Sequence, residues 1–287
     1  MKENELTAAA NGLVDWHTYA SCYDLLCEMN PAYADLISHF GSFVEERISP
    51  SARILDVGAG TGNFILSGAQ VAPNARWTHL DSDDAMNGIA SGKYVSAGLK
   101  VEMIQQKGER ATFPPASFDL VISINAMYAM PDPHRILRNI RQWLAPGGLL
   151  YLVDLGRVQN TFDWTQFLVR KNTKRLGLLR TLSVLLNEGQ VISSQNRRIA
   201  KLQRAGRYWK HSPQELELVL KTCGFIVERI ETCYRGYSDR AIARKDHGQP
   251  KDIERDHETH LDPYESVVAS SIVGPRSPRD RETHILR

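Results

Sequence analysis

Arg53-Ile54-Leu55-Asp56-Val57-Gly58-Ala59-Gly60-Thr61-Gly62-Asn63 is the stretch on which the reading of this chain turns. Its first five residues form a short apolar run, which predicts a buried strand over 53–57. Three glycines come next at alternate positions, and residues 61–71 then read as a helix. Glycine lets the backbone turn sharply and lets a ligand approach it closely. The start of a helix presents free N–H groups. Strand, glycine loop and helix in succession therefore make a ligand cradle, of a kind that many nucleotide-binding folds share. Two acids narrow the choice. Asp56 lies two residues before the first glycine, and Asp81 closes the next strand, 19 residues after Gly62. A carboxylate at that depth can accept both hydrogen bonds of a ribose diol.

Outward from this stretch the pattern repeats. Apolar runs predict strands over 76–80, 101–105, 118–124 and 149–153, with helices over 84–96 and 133–144 between them. The second of these helices is stopped by Ala145-Pro146-Gly147-Gly148. Strands that alternate with helices imply an α/β fold whose parallel sheet is covered on both faces. Residues 160–210 break the rhythm and read as an inserted helical cap. Ser212-Pro213-Gln214-Glu215 restarts a helix with a capping box and a proline in its first turn, and the helix ends at Cys223-Gly224. Residues 225–234 and 237–243 form two strands around Arg235-Gly236, an antiparallel hairpin. On the N-terminal side, residues 10–48 read as helical: Trp16, Tyr19, Tyr23 and Leu26, then Tyr33, Leu36, Phe40 and Phe43, recur at three and four spacing. Asn30 caps the second of these helices and Pro31 sits in its first turn.

Composition bounds the class. With 287 residues, 42% apolar and 24% charged, the chain can bury a sizeable core, which argues against a disordered, collagen-like or fibrous protein. No apolar run approaches the roughly 18 residues of a membrane span. The N-terminus has no apolar core behind basic residues, so no secretory signal is read and a cytoplasmic location is expected. Cys22, Cys27, Cys223 and Cys233 form neither a CxxC pair nor a zinc-like quartet, so they read as reduced, buried thiols, and no metal is expected. The net charge of +2 implies no bulk attraction to nucleic acid or membrane. That average hides an imbalance. Residues 160–210 hold eleven basic residues against Asp163 and Glu188, a net +9, while 246–287 holds nine acids against six bases. The basic cap suits an anionic substrate: a carboxylate, a diphosphate, or an acyl group on an acidic carrier protein. The plainer alternative is a solvated helix face balanced by the acidic tail, which reads as charged and flexible.

Four segments taken together carry a resemblance. ILDVGAGTGN, HLDSDDAM, FPPASFDLVISINAMYAM and LAPGGLLYLVD, in this order and spacing, resemble the motifs of class I S-adenosylmethionine-dependent methyltransferases. The likeness covers roughly residues 33–245. It implies a Rossmann-like seven-stranded sheet over 49–245, an N-terminal helical lid over 1–48 and the cap inserted after strand five. It also implies S-adenosylmethionine as cofactor. Asp56 and the loop carrying Gly58, Gly60, Gly62 and Asn63 would hold the methionine moiety. Asp81, with Ser82, would take the ribose hydroxyls, and Met86 would lie beside the adenine. The acid that the family commonly places after strand three falls here on Lys107, and Glu109 stands two residues later as its substitute. This cofactor carries a sulfonium and no phosphate. A carboxylate beside the loop suits its amino group better than it would suit a pyrophosphate, which counts against a dinucleotide oxidoreductase.

The acceptor side is read from position. In an open parallel sheet the crevice lies beyond the carboxyl ends of the strands. Asn125 and Tyr128, after strand four, would face the sulfonium, where a carbonyl or a ring face stabilises the passing positive charge. Asp154 ends strand five, as a base, an acceptor anchor or a turn cap. Trp16, Tyr19, Tyr23 and Tyr33 read either as a lid that excludes water or as plain core. Tyr23 is included among the catalytic candidates; His17 reads as a base or, more plainly, a surface histidine. The expected reaction is methyl transfer to a small metabolite, anionic or carrier-bound, of specialised metabolism, by a monomer or homodimer. Catalysis is then mostly positioning, with a general base only where the acceptor must lose a proton. The motifs read the cofactor alone, so a lyase that cyclises or cleaves S-adenosylmethionine, releasing methylthioadenosine, is the alternative. A non-catalytic binder fits the same motifs. An RNA methyltransferase would need a binding module or base-methylation motif that the sequence does not show.

Overall fold

A computed structural model describes residues 14–246. Seven strands form one sheet: β1 Arg53–Val57, β2 Arg76–Asp81, β3 Val101–Gln105, β4 Phe118–Ile124, β5 Leu144–Asp154, β6 Phe225–Cys233 and β7 Ser238–Lys245. Their order is β3-β2-β1-β4-β5-β7-β6. β1 to β5 are parallel, and β7 lies antiparallel between β5 and β6. The order turns back between β1 and β4, so a crevice opens above their carboxyl ends.

The strands fall where the apolar runs place them, with one instructive difference. β5 begins at Leu144 rather than at 149. Leu144 pairs with Phe118, the register then shifts, and Leu149 pairs with Leu120. Pro146 and the positive-φ Gly147 thus mark an irregularity within the strand rather than its start.

The helices are α1 Trp16–Glu28, α2 Pro31–Arg47, α3 Asn63–Val71, α4 Asp84–Ser96, α5 Pro133–Trp143, α6 Thr161–Leu176, α7 Leu178–Asn187, α8 Gly189–Arg204 and α9 Pro213–Thr222. Short polar side chains set several of their starts. The Asp15 carboxylate accepts from the Thr18 N–H, and the Asn30 side chain accepts from the Ala32 N–H. The capping box of α9 closes in both directions: Glu215 N–H donates to Ser212 Oγ at 3.2 Å and Ser212 N–H to Glu215 Oε2 at 2.7 Å. Such caps satisfy N–H groups that a helix leaves free. Helices α6 to α8 fill the inserted segment.

Alternation along β1 builds two cores. Ile54 joins Phe40, Phe43, Phe64, Trp77 and Tyr151 on one face of the sheet. Leu55 and Val57 join Ile136, Leu137, Ile140, Leu216 and Leu220 on the other. A third cluster, with Tyr19, Cys22, Tyr128, Leu155, Ile199 and Tyr208, ties α1 to the cap helix α8. Cys22, Cys27 and Cys223 are buried free thiols, and Cys233 is a half-buried one. No described helix is long and apolar enough to cross a membrane. Beyond Asp246, the expected flexible tail lies outside the described residues, as do residues 1–13 of the expected lid.

Candidate functional site

The loop after β1 opens onto a cleft of about 540 Å³ above the switch point. Its three positive-φ glycines have three different reasons. A Cβ on Gly58 would stand 2.4 Å from the Ala126 Cβ, and one on Gly62 would stand 2.3 Å from the Tyr94 hydroxyl. A Cβ on Gly60 would meet nothing within 4 Å. Gly58 and Gly62 are therefore small because protein packs against them, whereas Gly60 borders the space a ligand would take.

Both predicted carboxylates line this cleft. Asp81 Oδ2 accepts from the Gly60 N–H at 2.8 Å, and Oδ1 accepts from the Asp83 N–H at 2.9 Å. Each oxygen keeps a further lone pair for a ligand hydroxyl. Asp56 is 2% exposed. Burial pushes its carboxyl well above the usual carboxylate range, and the negative charge of Asp81 pushes it the same way. A cation placed against Asp56 would relieve that penalty. Ser82, Met86 and Glu109 line the same cleft, together with Gln106 and Lys107. The segments after β2 and β3 thus form one wall of the cleft.

Two residues expected at the ligand instead work from behind the loop. Gly62 seats Tyr94, and Asn63 does not line the cleft. The reason is a polar clasp. Asp24 of α1 accepts from the Thr61 hydroxyl at 2.6 Å and from Asn63 Nδ2 at 3.1 Å, and pairs with Lys93 Nζ at 2.9 Å. Lys93 also donates to Asn63 Oδ1 at 2.5 Å. This clasp fastens the first helix to the glycine loop. Asp24 sits in an aromatic stripe and belongs to no motif, so nothing local in the sequence singles it out. His17 lies 3.1 Å from Asp84, away from the cleft lining.

On the acceptor side, Asn125 lines the cleft with φ +50°, a conformation asparagine tolerates better than most residues. Its Oδ1 accepts from the Ser238 hydroxyl at 3.1 Å. Tyr23 lines the cleft and also a smaller inner cavity of about 70 Å³ behind Asn125. Tyr128 lines only the inner cavity of the two, its ring edge-on to Tyr208 at 5.5 Å. Burial raises both phenols well above their ordinary range, so they act as neutral hydrogen-bonding groups.

Of the readings open to Asp154, its placement favours an anchor for the turn after β4. It is fully buried, does not line the cleft, and accepts from the Tyr128 N–H at 3.0 Å. Its other oxygen lies 3.7 Å from His211 Nε2, and His211 Nδ1 lies 3.3 Å from Asp239, which also pairs with Arg157. Burial alone would lower the His211 pKa, but the facing carboxylates of Asp154 and Asp239 raise it to about 9. His211 was not legible as a site residue, because its partners lie more than 25 residues away along the chain. Arg207 and Tyr208, at the end of the cap, also line the cleft. Other basic residues of the cap, such as Arg170, Lys174, Lys201 and Arg204, are exposed.

A family model described as a methyltransferase domain matches residues 54–148. The ubiquinone/menaquinone biosynthesis C-methyltransferase UbiE of Burkholderia cenocepacia is 24% identical over 159 residues, which cover 55% of this chain and 65% of that protein. The chain thus spans somewhat under two thirds of that relative's length. A highly reducing polyketide synthase of Gibberella moniliformis, FUM1, is 32% identical over 164 residues, 53% of this chain and 6% of that one. Among solved structures, a SAM-dependent methyltransferase from Aquifex aeolicus superposes with a TM-score of 0.50 at 16% identity, covering 76% of this chain and 92% of that one. The PH0226 protein of Pyrococcus horikoshii gives 0.54 at 15% identity, with 79% and 99% covered. At such identities the superpositions show the fold.

Proposed function

We propose that this chain, which carries a class I S-adenosylmethionine-dependent methyltransferase domain, transfers the cofactor's methyl group to a small acceptor seated behind Asn125. The observation that carries the reading is the pair Asp56 and Asp81, set on one cleft wall with the open Gly60 position beside them. A buried carboxyl short of positive charge fits an ammonium, and a carboxylate already held by two backbone N–H groups fits a ribose diol. When bound, the cofactor supplies an electrophilic methyl on a sulfonium.

The chain's own residues do the rest by holding and excluding. Asp56 binds the amino end, Asp81 and Ser82 the ribose, and Met86 and Glu109 flank the base. Asn125 and Tyr23 bound the reacting region, and Trp16 and Tyr33 shield it from water. The titratable groups that line the inner cavity are Tyr19, Tyr23, Cys27, Tyr33, Tyr128 and Tyr234. Burial raises every one of them, Cys27 to about 12. A neutral phenol or thiol is a poor base at pH 7, so the acceptor brings its own acidic nucleophile, such as an enolised carbonyl or a phenol. The relatives' printed roles, C-methylation in quinone biosynthesis and polyketide synthesis, point the same way. An anionic or carrier-linked remainder would lie outward, toward Arg207 and the basic surface of the cap.

Calorimetry with S-adenosylhomocysteine tests the cofactor half of this reading. Wild-type protein binds it, and Asp81→Ala does not at the same concentrations. Product analysis tests the chemistry. Adenosylhomocysteine that forms only with an acceptor supports transfer, whereas methylthioadenosine formed from the cofactor alone would establish the lyase alternative.

A further inference from the structure

The cleft does not end at the inner cavity. That cavity shares Trp16, Tyr23, Tyr33 and Asn125 with the cofactor cleft. On its far side it shares Leu26, Gln159, Trp164, Leu168 and Asn196 with a third cavity of about 90 Å³. This third cavity is lined by α1 and the cap helices, through residues such as Met29, Val169, Val184 and Ile192. The three spaces therefore run in series, from the cofactor wall into the interior of the cap.

Their chemistry changes along the way. The cleft is lined by Asp56, Asp81, Asp83, Lys107, Glu109 and Arg207 among others. Among the described residues, no aspartate, glutamate, lysine, arginine or histidine lines either inner space. A neutral, largely apolar lining takes an uncharged occupant, because a buried charge without a partner is strongly disfavoured. Uncharged polar side chains such as Gln159, Asn172, Thr181 and Asn196 also border these spaces, and one buried donor beside them is unsatisfied. Trp164, which borders both inner spaces, is 7% exposed, and its indole N–H has no hydrogen-bond partner among the described residues. Buried donors are normally satisfied, so an unsatisfied one beside a cavity indicates where a ligand oxygen belongs.

We propose that the inner cavities are the binding site for a linear apolar tail on the acceptor, with an acceptor oxygen of that tail hydrogen-bonded to Trp164 Nε1. The inference rests on the methyl-transfer reading for its reacting end only; the tail site stands on the cap itself. It places a neutral chain of several carbons between α1, α6 and α8. The basic outer face of the cap takes no part in holding it.

Two probe series test this on the full chain: 4-alkylphenols and 4-alkanoylphenols with tails of increasing length. Each is titrated with and without saturating S-adenosylhomocysteine. The expected Kd falls about fourfold for each added methylene, the factor that corresponds to about 0.8 kcal/mol of burial, until the third cavity is full. The alkanoyl compounds bind more tightly than alkyl ones of equal length, and Trp164→Phe abolishes that preference while keeping the length dependence. Leu168→Trp, which fills the passage, abolishes the length dependence while S-adenosylhomocysteine binds as before. A Kd that is flat with tail length, or a Leu168→Trp variant that behaves like the parent, overturns the proposal. A preference that survives Trp164→Phe overturns the role given to the indole. Length-dependent binding by a chain that takes no S-adenosylhomocysteine keeps the tail site and sinks the methyl-transfer reading instead.

Discussion

The two ends of the cleft are built on opposite principles. The cofactor wall is charged, made largely of backbone and contributed by segments that each come directly after a strand. The inner cavities are lined by uncharged side chains, aromatic, aliphatic and amide, and are assembled from α1, the turn after β4 and the cap. The first can be placed by local rules, since a strand end positions the residues immediately beyond it. The second exists only once distant helices pack. The contrast suggests that the wall sets which cofactor binds, while the inner cavities set which acceptor can react.

That contrast can be broken or sharpened by mutation, from the largest expected effect downward. His211→Leu should cost about 3–5 kcal/mol of stability, because it leaves Asp154 and Asp239 buried against a lost cation. Chemical denaturation measures this, and a loss below about 1 kcal/mol would mean that the cluster is not charged. The same cluster gives a pH dependence. A histidine pKa raised to about 9 from 6.5 contributes stability that is complete below pH 6.5 and fades as pH rises through 9. His211→Leu should flatten that part of the thermal-melt profile, with Asp154, Asp239 and Arg157 the groups that face the ring.

Asp81→Ala comes next. Losing two charge-assisted hydrogen bonds should weaken S-adenosylhomocysteine binding on the order of 100-fold or more, with little effect on the melt. Asp24→Ala tests the clasp between the regions. It removes the carboxylate that holds Thr61, Asn63 and Lys93 together, so affinity should fall roughly tenfold through a loosened loop, although Asp24 does not itself line the cleft. Rescue by Asp24→Glu would separate charge pairing from packing. The smallest effect is a gain. Asp56 has a folded-state pKa raised by burial and by Asp81, so stability falls as pH rises above the ordinary carboxylate range. Asp56→Asn should remove that slope and raise Tm by about 2–4 °C at pH 8, per kcal/mol relieved. It should abolish cofactor binding at the same time. A lower Tm would show that the Asp56 carboxyl is a net stabilising group in the folded chain.

Legibility followed the same divide. The strands from β1 to β4 and the capping box of α9 could be read almost to the residue, because apolar alternation and short polar caps act over a few positions. So could the cleft positions of Asp56, Gly58, Gly60, Asp81, Ser82, Met86, Glu109 and Asn125. Asn63 and Gly62 were placed beside the ligand, yet one reaches back to Asp24 and Lys93 and the other makes room for Tyr94. The glycine loop looks the same in sequence whichever side its neighbours occupy. Asp154, which ends a strand beside the crevice, reads equally as a base, an acceptor anchor or a turn cap. Its carboxylate lies below that surface, turned to Tyr128 and His211.

From its sequence alone, then, this protein's sheet, its switch-point cleft and its paired carboxylates were decided, since each depends on residues that are neighbours along the chain. Only the tertiary structure decided that the basic cap turns its charges outward and lines uncharged inner cavities, that α1 is clasped to the loop, and that a buried histidine braces the acceptor side. Those features depend on which faces of α1 and α6 to α8 meet. Burial and charge pairing between distant residues settle that, and no local pattern records it.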